Sequence, residues 1–202
     1  EGENNIAIGD YALQNNDEGY SNIAIGEYAL RNNDDGDYNI ALGQGALDDN
    51  EGDDNIALGY NALQINTGED NIAMGDSALQ SNTIGVNNVA IGEDALYTNT
   101  EGDHNIAIGK ESGITITTGS GNTFLGAYSD ASTGTLSNST AIGYGATVTL
   151  SNTIQLGNSD VNLVNTSATV SATAFVGDGS GLTNIGTSSS TFKDAYSNVV
   201  VG

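Results

Sequence analysis

One five-residue phrase recurs along this chain at a nearly fixed distance. Asn5-Ile6-Ala7-Ile8-Gly9 comes back as Asn22-Ile23-Ala24-Ile25-Gly26 and as Asn39-Ile40-Ala41-Leu42-Gly43. It continues through the glycines at 59, 75, 92 and 109, and weaker copies close at Gly126, Gly143 and Gly157. Successive closing glycines lie 17, 17, 16, 16, 17, 17, 17, 17 and 14 residues apart. A unit this short cannot bury a core alone, so like units must stack, and the chain is expected to form a solenoid with one coil per repeat. Helical repeats need about 34 residues or more, which excludes paired helices.

Within one unit, Ile23 and Ile25 alternate with Asn22 and Ala24, the period-2 pattern of a strand with one apolar face. Gly26 ends the strand where a side chain would obstruct the turn. Ala29-Leu30 follows as a second apolar anchor, here expected to be a strand-like or irregular arm. Asn33-Asp34-Asp35-Gly36 then carries the chemistry of a polar turn. The 16-residue coils lose their residue from that turn, as in Asn50-Glu51-Gly52, and never from the strand. Turns tolerate such changes and paired strands do not, so the strands are expected to stack in register.

Register fixes columns of residues. At about 4.8 Å per coil, ten coils make a rod of roughly 50 Å. We expect the Ile/Leu column to fill the interior. The alanines Ala7, Ala24, Ala41, Ala57, Ala73, Ala90 and Ala107 then fall on the opposite strand face. Their uniform small size suits the close approach of another chain, and a threefold bundle is the simplest closed arrangement for a fibre. The asparagines Asn5, Asn22, Asn39, Asn55, Asn71, Asn88, Asn105 and Asn122 are expected to form a structural ladder of stacked side chains rather than a ligand site.

Charge limits the partners. The 26 acidic residues face only Arg31, Lys110 and Lys193, a formal charge of −23. That excludes nucleic acid, which needs basic patches, and disfavours an anionic membrane surface. No apolar run approaches the roughly 20 residues of a membrane span, and the sequence, which begins inside a repeat with no signal peptide visible, is expected to be a mature or trimmed piece of something longer. With no cysteine, no disulfide holds the fold. Residues 1–111 hold 22 of the acids, leaving Asp130, Asp160, Asp178 and Asp194 outside. Carboxylates stacked about 5 Å apart repel, and Ca²⁺ is the cation such oxygens would take. The candidate ligands are Asp17, Asp34, Asp35, Asp54, Asp70 and Asp103. Their spacing matches neither an EF-hand nor a Gly-rich Ca²⁺ nonapeptide, so no cofactor is expected.

Catalysis is not expected either. Glycoside cleavage needs one pair of carboxylates held at a set separation, whereas these acids repeat in register and none is singled out. His104 is the only histidine and sits at a turn position, so it makes neither triad nor metal site. An ice-binding face would need regular threonine, present only at Thr67, Thr83 and Thr100.

The repeated Asn-x-Ala-Ile-Gly phrase with glycine turns resembles the head repeats of YadA-type trimeric autotransporter adhesins. Asn138-Ser139-Thr140-Ala141-Ile142-Gly143, followed by a 14-residue coil, carries the likeness best, and it covers roughly residues 1–157. Ala174-Phe175-Val176-Gly177-Asp178-Gly179-Ser180-Gly181-Leu182-Thr183-Asn184-Ile185 resembles a segment of phage tail-fibre-like and large bacterial surface proteins. The resemblance implies a homotrimer of left-handed parallel β-rolls on a cell or virion exterior, used for attachment to a cell-surface or glycan receptor. The expected layout is an all-β, parallel β-solenoid over residues 1–157, acidic in 1–111 and tapering in 110–157. A β-rich connector over 158–186 would follow, then a Ser/Thr linker and the start of a strand over 187–202.

Overall fold

The computed structural model describes residues 2–161 and, beyond them, the backbone of two short strands, Phe192–Lys193 and Val199–Val200. The chain divides into two units, Glu1–Leu163 and Val164–Gly202. In the second, Phe192–Lys193 pairs antiparallel with Val199–Val200. The strands expected within 162–185 and the linker at 187–191 lie outside the described residues.

The first unit is a parallel β-solenoid, and no helix occurs among the described residues. Ten three-residue strands stack into one parallel sheet in chain order: Ile6–Ile8, Ile23–Ile25, Ile40–Leu42, Ile56–Leu58, Ile72–Met74, Val89–Ile91, Ile106–Ile108, Thr123–Leu125, Thr140–Ile142 and Ile154–Leu156. The register is the one the spacing predicts. Ile6 pairs with Ile23, Ala24 with Ala41, and Ala57 with Ala73 across a 16-residue coil. Even the 14-residue coil keeps it, with Thr140 opposite Ile154. The variation in coil length is absorbed in the turns.

Of the two forms expected for the arm after each strand, strand-like or irregular, the structure shows the irregular one. Leu30, Leu47, Leu63, Leu79 and Leu96 all lie at φ between 47° and 51°. A left-handed conformation costs an L-residue roughly 1–2 kcal/mol. Here it swings each leucine into the coil, where all five are fully buried. The arm is therefore a corner, and only after it does the chain run briefly extended, as where Asp49–Asn50 pairs parallel with Ile65–Asn66.

The interior overturns the assignment of faces. Ala24, Ala41, Ala57, Ala73, Ala90 and Ala107 are fully buried inside their own coils, in one cluster with the arm leucines. Ala7, in the first rung, is exposed because only one neighbour stacks on it. These alanines therefore offer no surface to another chain. The isoleucines expected in the core point outward instead: Ile25, Leu42, Met74, Ile91 and Ile108 are each 37–39% exposed. The reason is volume. The coil is so narrow that a leucine from the arm leaves room for only a methyl group from the strand.

Two neighbouring rungs demonstrate the limit. Phe124 takes the alanine position of one strand, and in the rung before it, whose own strand keeps Ala107, the corner that normally carries leucine carries Gly113. A Cβ on Gly113 would stand 2.8 Å from Phe124 Cδ2 and 3.0 Å from Leu96 Cδ2. The large residue has moved from the arm of one rung to the strand of the next, and the volume shared between the two is nearly conserved.

Candidate functional site

Two asparagine columns hold the coils together, and they work differently. The strand column does not form a ladder of side chains alone. Asn22 Oδ1 accepts the backbone N–H of Asn39 at 2.8 Å, and Asn39 Oδ1 that of Asn55 at 2.9 Å. The pattern runs from Asn5 to Asn122, whose Oδ1 accepts the N–H of Ser139. Each amide also spans its own coil, as where Asn22 Nδ2 donates to the Gly36 carbonyl at 2.8 Å. The true side-chain ladder belongs to the turn asparagines. Asn50 Nδ2 donates to Asn33 Oδ1 at 2.8 Å and Asn66 Nδ2 to Asn50 Oδ1 at 2.9 Å. It continues through Asn82 to Asn99, and ends there because Ile116 occupies the next rung. Asn99 Oδ1 is left buried without a partner. Both columns converge on the turn glycine: the Gly36 carbonyl also accepts from Asn33 Nδ2 at 2.7 Å. No side chain fits there, since a Cβ on Gly36 would lie 2.5 Å from Asn33 Oδ1.

The candidate cation ligands are spread over several columns. Asp17 and Asp34 occupy the first turn position, Asp35 the next, and all three are exposed. Asp54 and Asp70 sit just before the strand at φ 56° and 59°, a corner conformation that Asp tolerates better than most residues. Asp103 precedes that corner, and its Oδ1 accepts the Val86 N–H at 2.9 Å. Asp37 and Asp53 cap the neighbouring rung in the same way, accepting from Tyr20 and Asp37 at 2.6 and 2.8 Å. Ser120 and Ser137 take over this role in the neutral coils. Three acids at this position are thus backbone acceptors, a role the sequence did not reveal. Among the described residues no three metal-ligating side chains converge. His104 lies exposed in the same corner at φ 56°.

One recess of about 220 Å³ opens beside the acidic turns, lined by Asn32, Asp34, Asp49, Asn50, Glu51, Ile65 and Thr67. Its floor is tied down: Asn32 Nδ2 donates to Asp49 Oδ1, and Asn15 Nδ2 to Asn32 Oδ1 at 2.6 Å. Thr67, Thr83, Thr100 and Thr117 each donate their hydroxyl to a carbonyl of the next rung, the last to Gly134. Nearby, Arg31 grips Asp48 through two contacts of 2.8 and 2.9 Å and lies over the Tyr28 ring, which stacks on Tyr11. Burial pushes the Asp48 carboxyl up, against the pull of Arg31. Asp94 is also held above the ordinary carboxylate range, by burial first and then by the charges of Glu93, Asp76 and Glu111.

The outward face of the ten-stranded sheet is apolar. The outward positions of the ten strands form two columns of ten residues. All are apolar except Thr123 and Thr140, and none is buried. The stripe is about 45 Å long and about 12 Å wide, roughly 500 Å² by strand spacing and side-chain reach. That is the size of the largest apolar patch on an ordinary monomer, and such patches are often functional. Acids fringe both edges in the first seven rungs. Asp10, Glu27, Asp76 and Glu93 follow the strands, and Asp37, Asp53, Asp54, Glu69, Asp70 and Asp103 precede them. The single cation of this fringe, Lys110, is paired with Glu93 at 2.8 Å.

Comparison with protein-family models and with curated proteins gave no match.

Proposed function

We propose that this chain is a segment of an extracellular fibre of adhesin type: a homotrimeric β-roll that extends a binding surface from a cell or virion and catalyses no reaction. The observation that carries this reading is the uniformity of the rod. Ten rungs stack in one register, eight of them carry the same asparagine scheme, and the acids and hydroxyls are either spread along the turns or engaged by the backbone of the neighbouring rung. Enzymes single out a few convergent groups, whereas a spacer repeats one group many times. The resemblance to adhesin head repeats supports the same reading. The acid-lined recess at Asp34, Asp49 and Glu51 and the turn columns beside it are the surface offered to a receptor, which would be a neutral or cationic glycan or cell-surface protein.

A phage tail-fibre shaft of the same build is the second reading, favoured by the segment over 174–185. A test common to both readings immobilises the chain on beads and offers them a panel of cell surfaces and glycans while soluble reducing ends are measured. Retention on some surfaces without release of sugar is expected. Release of reducing ends would make the recess a catalytic site and overturn the reading.

A further inference from the structure

Past the acid-rich rungs, two exposed tyrosines meet beside a glycine that leaves room between them. Tyr128 and Tyr144 stand edge to face, with ring centroids 5.5 Å apart and planes at 78°. They are 41% and 68% exposed. We infer that they frame a carbohydrate-binding notch, which takes one neutral pyranose ring of a glycan. The inference rests on the attachment reading above and adds to the acidic recess a second contact of different chemistry.

The notch exists because the position after Tyr144 is a glycine. Gly145 stacks in register on Tyr128, and its N–H donates to the Ala127 carbonyl at 3.0 Å. A Cβ on Gly145 would meet one group only, Asn158 Nδ2 at 3.7 Å. Tyr128 therefore borders the opening from the rung before, Asn158 from the rung after, and Tyr144 from the side. Asn158 is fixed by its own turn: its Oδ1 accepts the Asp160 N–H at 3.0 Å and its carbonyl the Val161 N–H at 3.2 Å. Asn158 Nδ2 reaches Asp160 Oδ2 only at 3.5 Å, so amide and carboxylate both keep hydrogen-bonding capacity for a guest. Tyr28 and Gly45 repeat this layout earlier in the unit, and there the space is taken. Arg31 lies over the Tyr28 ring at 5.0 Å, and a Cβ on Gly45 would collide with Asn61 Oδ1. In the later copy Ala131 stands in the place of Arg31, too short to cover a ring.

The chemistry of the rim selects the guest. Two rings at nearly a right angle give a floor and a wall, and the face of each ring carries negative charge. The axial C–H bonds of a pyranose are slightly positive and pack on such a face, while its hydroxyls reach the Asn158 amide and the Asp160 carboxylate. A gluco-configured ring fits best, because its equatorial hydroxyls leave both faces to C–H bonds. An acidic sugar finds no counter-charge: among the described residues Arg31 and Lys110 are held by Asp48 and Glu93. A quaternary ammonium also suits aromatic faces, but it calls for rings on several sides, and here one side is an amide.

The experiment is saturation-transfer NMR on the 202-residue chain with cellotetraose, a neutral β-1,4-glucan, beside β-1,4-mannotetraose and choline. Transfer to the axial ring protons of cellotetraose is expected, with weaker binding of mannotetraose, whose axial hydroxyl lifts each ring off the floor. Tyr144→Ala removes the wall at an exposed position. Gly145→Asn fills the notch with the side chain that the same column carries at Asn61, where φ is 51° against 61° at Gly145, so the backbone is kept and circular dichroism checks it. Each variant is expected to weaken cellotetraose binding about 10-fold or more, the loss of a ring contact or of its space. Tyr60→Ala is the control, a tyrosine 51% exposed in the column of Tyr144 with Asn61 rather than glycine beside it, and it should leave binding unchanged. No transfer to cellotetraose, equal binding of mannotetraose, binding that either notch variant retains, or choline bound at these rings in place of the sugar overturns the notch and leaves the fibre reading standing on the acidic recess. Release of reducing ends in the bead assay would instead strike at the fibre reading and leave the notch untouched.

Discussion

At the scale of single residues, the hydrogen-bond columns decide the most. Asn66 donates to Asn50 Oδ1 and to the Gly68 carbonyl, while its own Oδ1 accepts from Asn82. Asn66→Ala leaves those buried groups short of partners and is expected to cost about 2–3 kcal/mol in chemical denaturation. Asp94→Asn should act in the other direction. It removes a carboxylate crowded by Glu93, Asp76 and Glu111, at a φ of 56° that asparagine tolerates. A gain of about 0.2–0.5 kcal/mol at neutral pH is expected, the size of a like-charge contact at a partly open site. The sign of the pH dependence follows from the same groups. Asp48 and Asp94 both stand above the ordinary carboxylate range, so the folded chain holds protons that the unfolded chain has released. Their contribution is complete below the ordinary value near about 4 and is lost as pH rises through the raised ones. The melting temperature should therefore climb on acidification from neutral toward that range, and the climb should be shallower in Asp94→Asn.

At the scale of the coil, strand and arm exchange volume. Gly113 on one rung and Phe124 on the next replace a leucine and the alanine that stacks beside it, the pairing that Leu96 makes with Ala107 in the rungs before. Gly113→Leu alone should overfill the coil and destabilise it by about 1–3 kcal/mol. Adding Phe124→Ala restores the repeated pair, and the double variant is expected to return to within about 1 kcal/mol of the wild type, a coupling that a double-mutant cycle measures directly. The same exchange explains what the sequence could and could not say. Register, coil length and the place of the turn glycines were legible, because insertions fall only in turns. Alternation also showed that Ala24 shares a face with Asn22, and Ile23 with Ile25. It could not say which face lies inside, since both carry apolar residues. The usual preference for burying the larger ones pointed the wrong way in a coil too narrow for them. The clue was present in Gly113 and Phe124, where a loss on the arm of one rung accompanies a gain on the strand of the next. The capping role of Asp37, Asp53 and Asp103 left no such trace, because an acid in a turn reads equally well as solvated charge.

At the scale of the whole solenoid unit, the consequence is a stack of coils whose inside is nearly all alanine, leucine and asparagine and whose outside carries the isoleucines. Uniform rungs give it length without a centre, and the fringe of acids keeps the stripe from casual partners. The candidate receptor surface was legible only as a run of turn acids, since the recess at Asp34, Asp49 and Glu51 is made by residues from neighbouring coils. A pair of substitutions one residue apart tests this inside-out arrangement most directly: Ala90→Ile and Ile91→Ala, compared by chemical denaturation at concentrations where both are monomeric. Ala90 is fully buried and Ile91 is 37% exposed, so Ala90→Ile should lose about 2–3 kcal/mol or fail to fold, and Ile91→Ala should lose less than about 1 kcal/mol. An Ala90→Ile chain as stable as the wild type, beside an Ile91→Ala chain that loses several kcal/mol, would contradict the account.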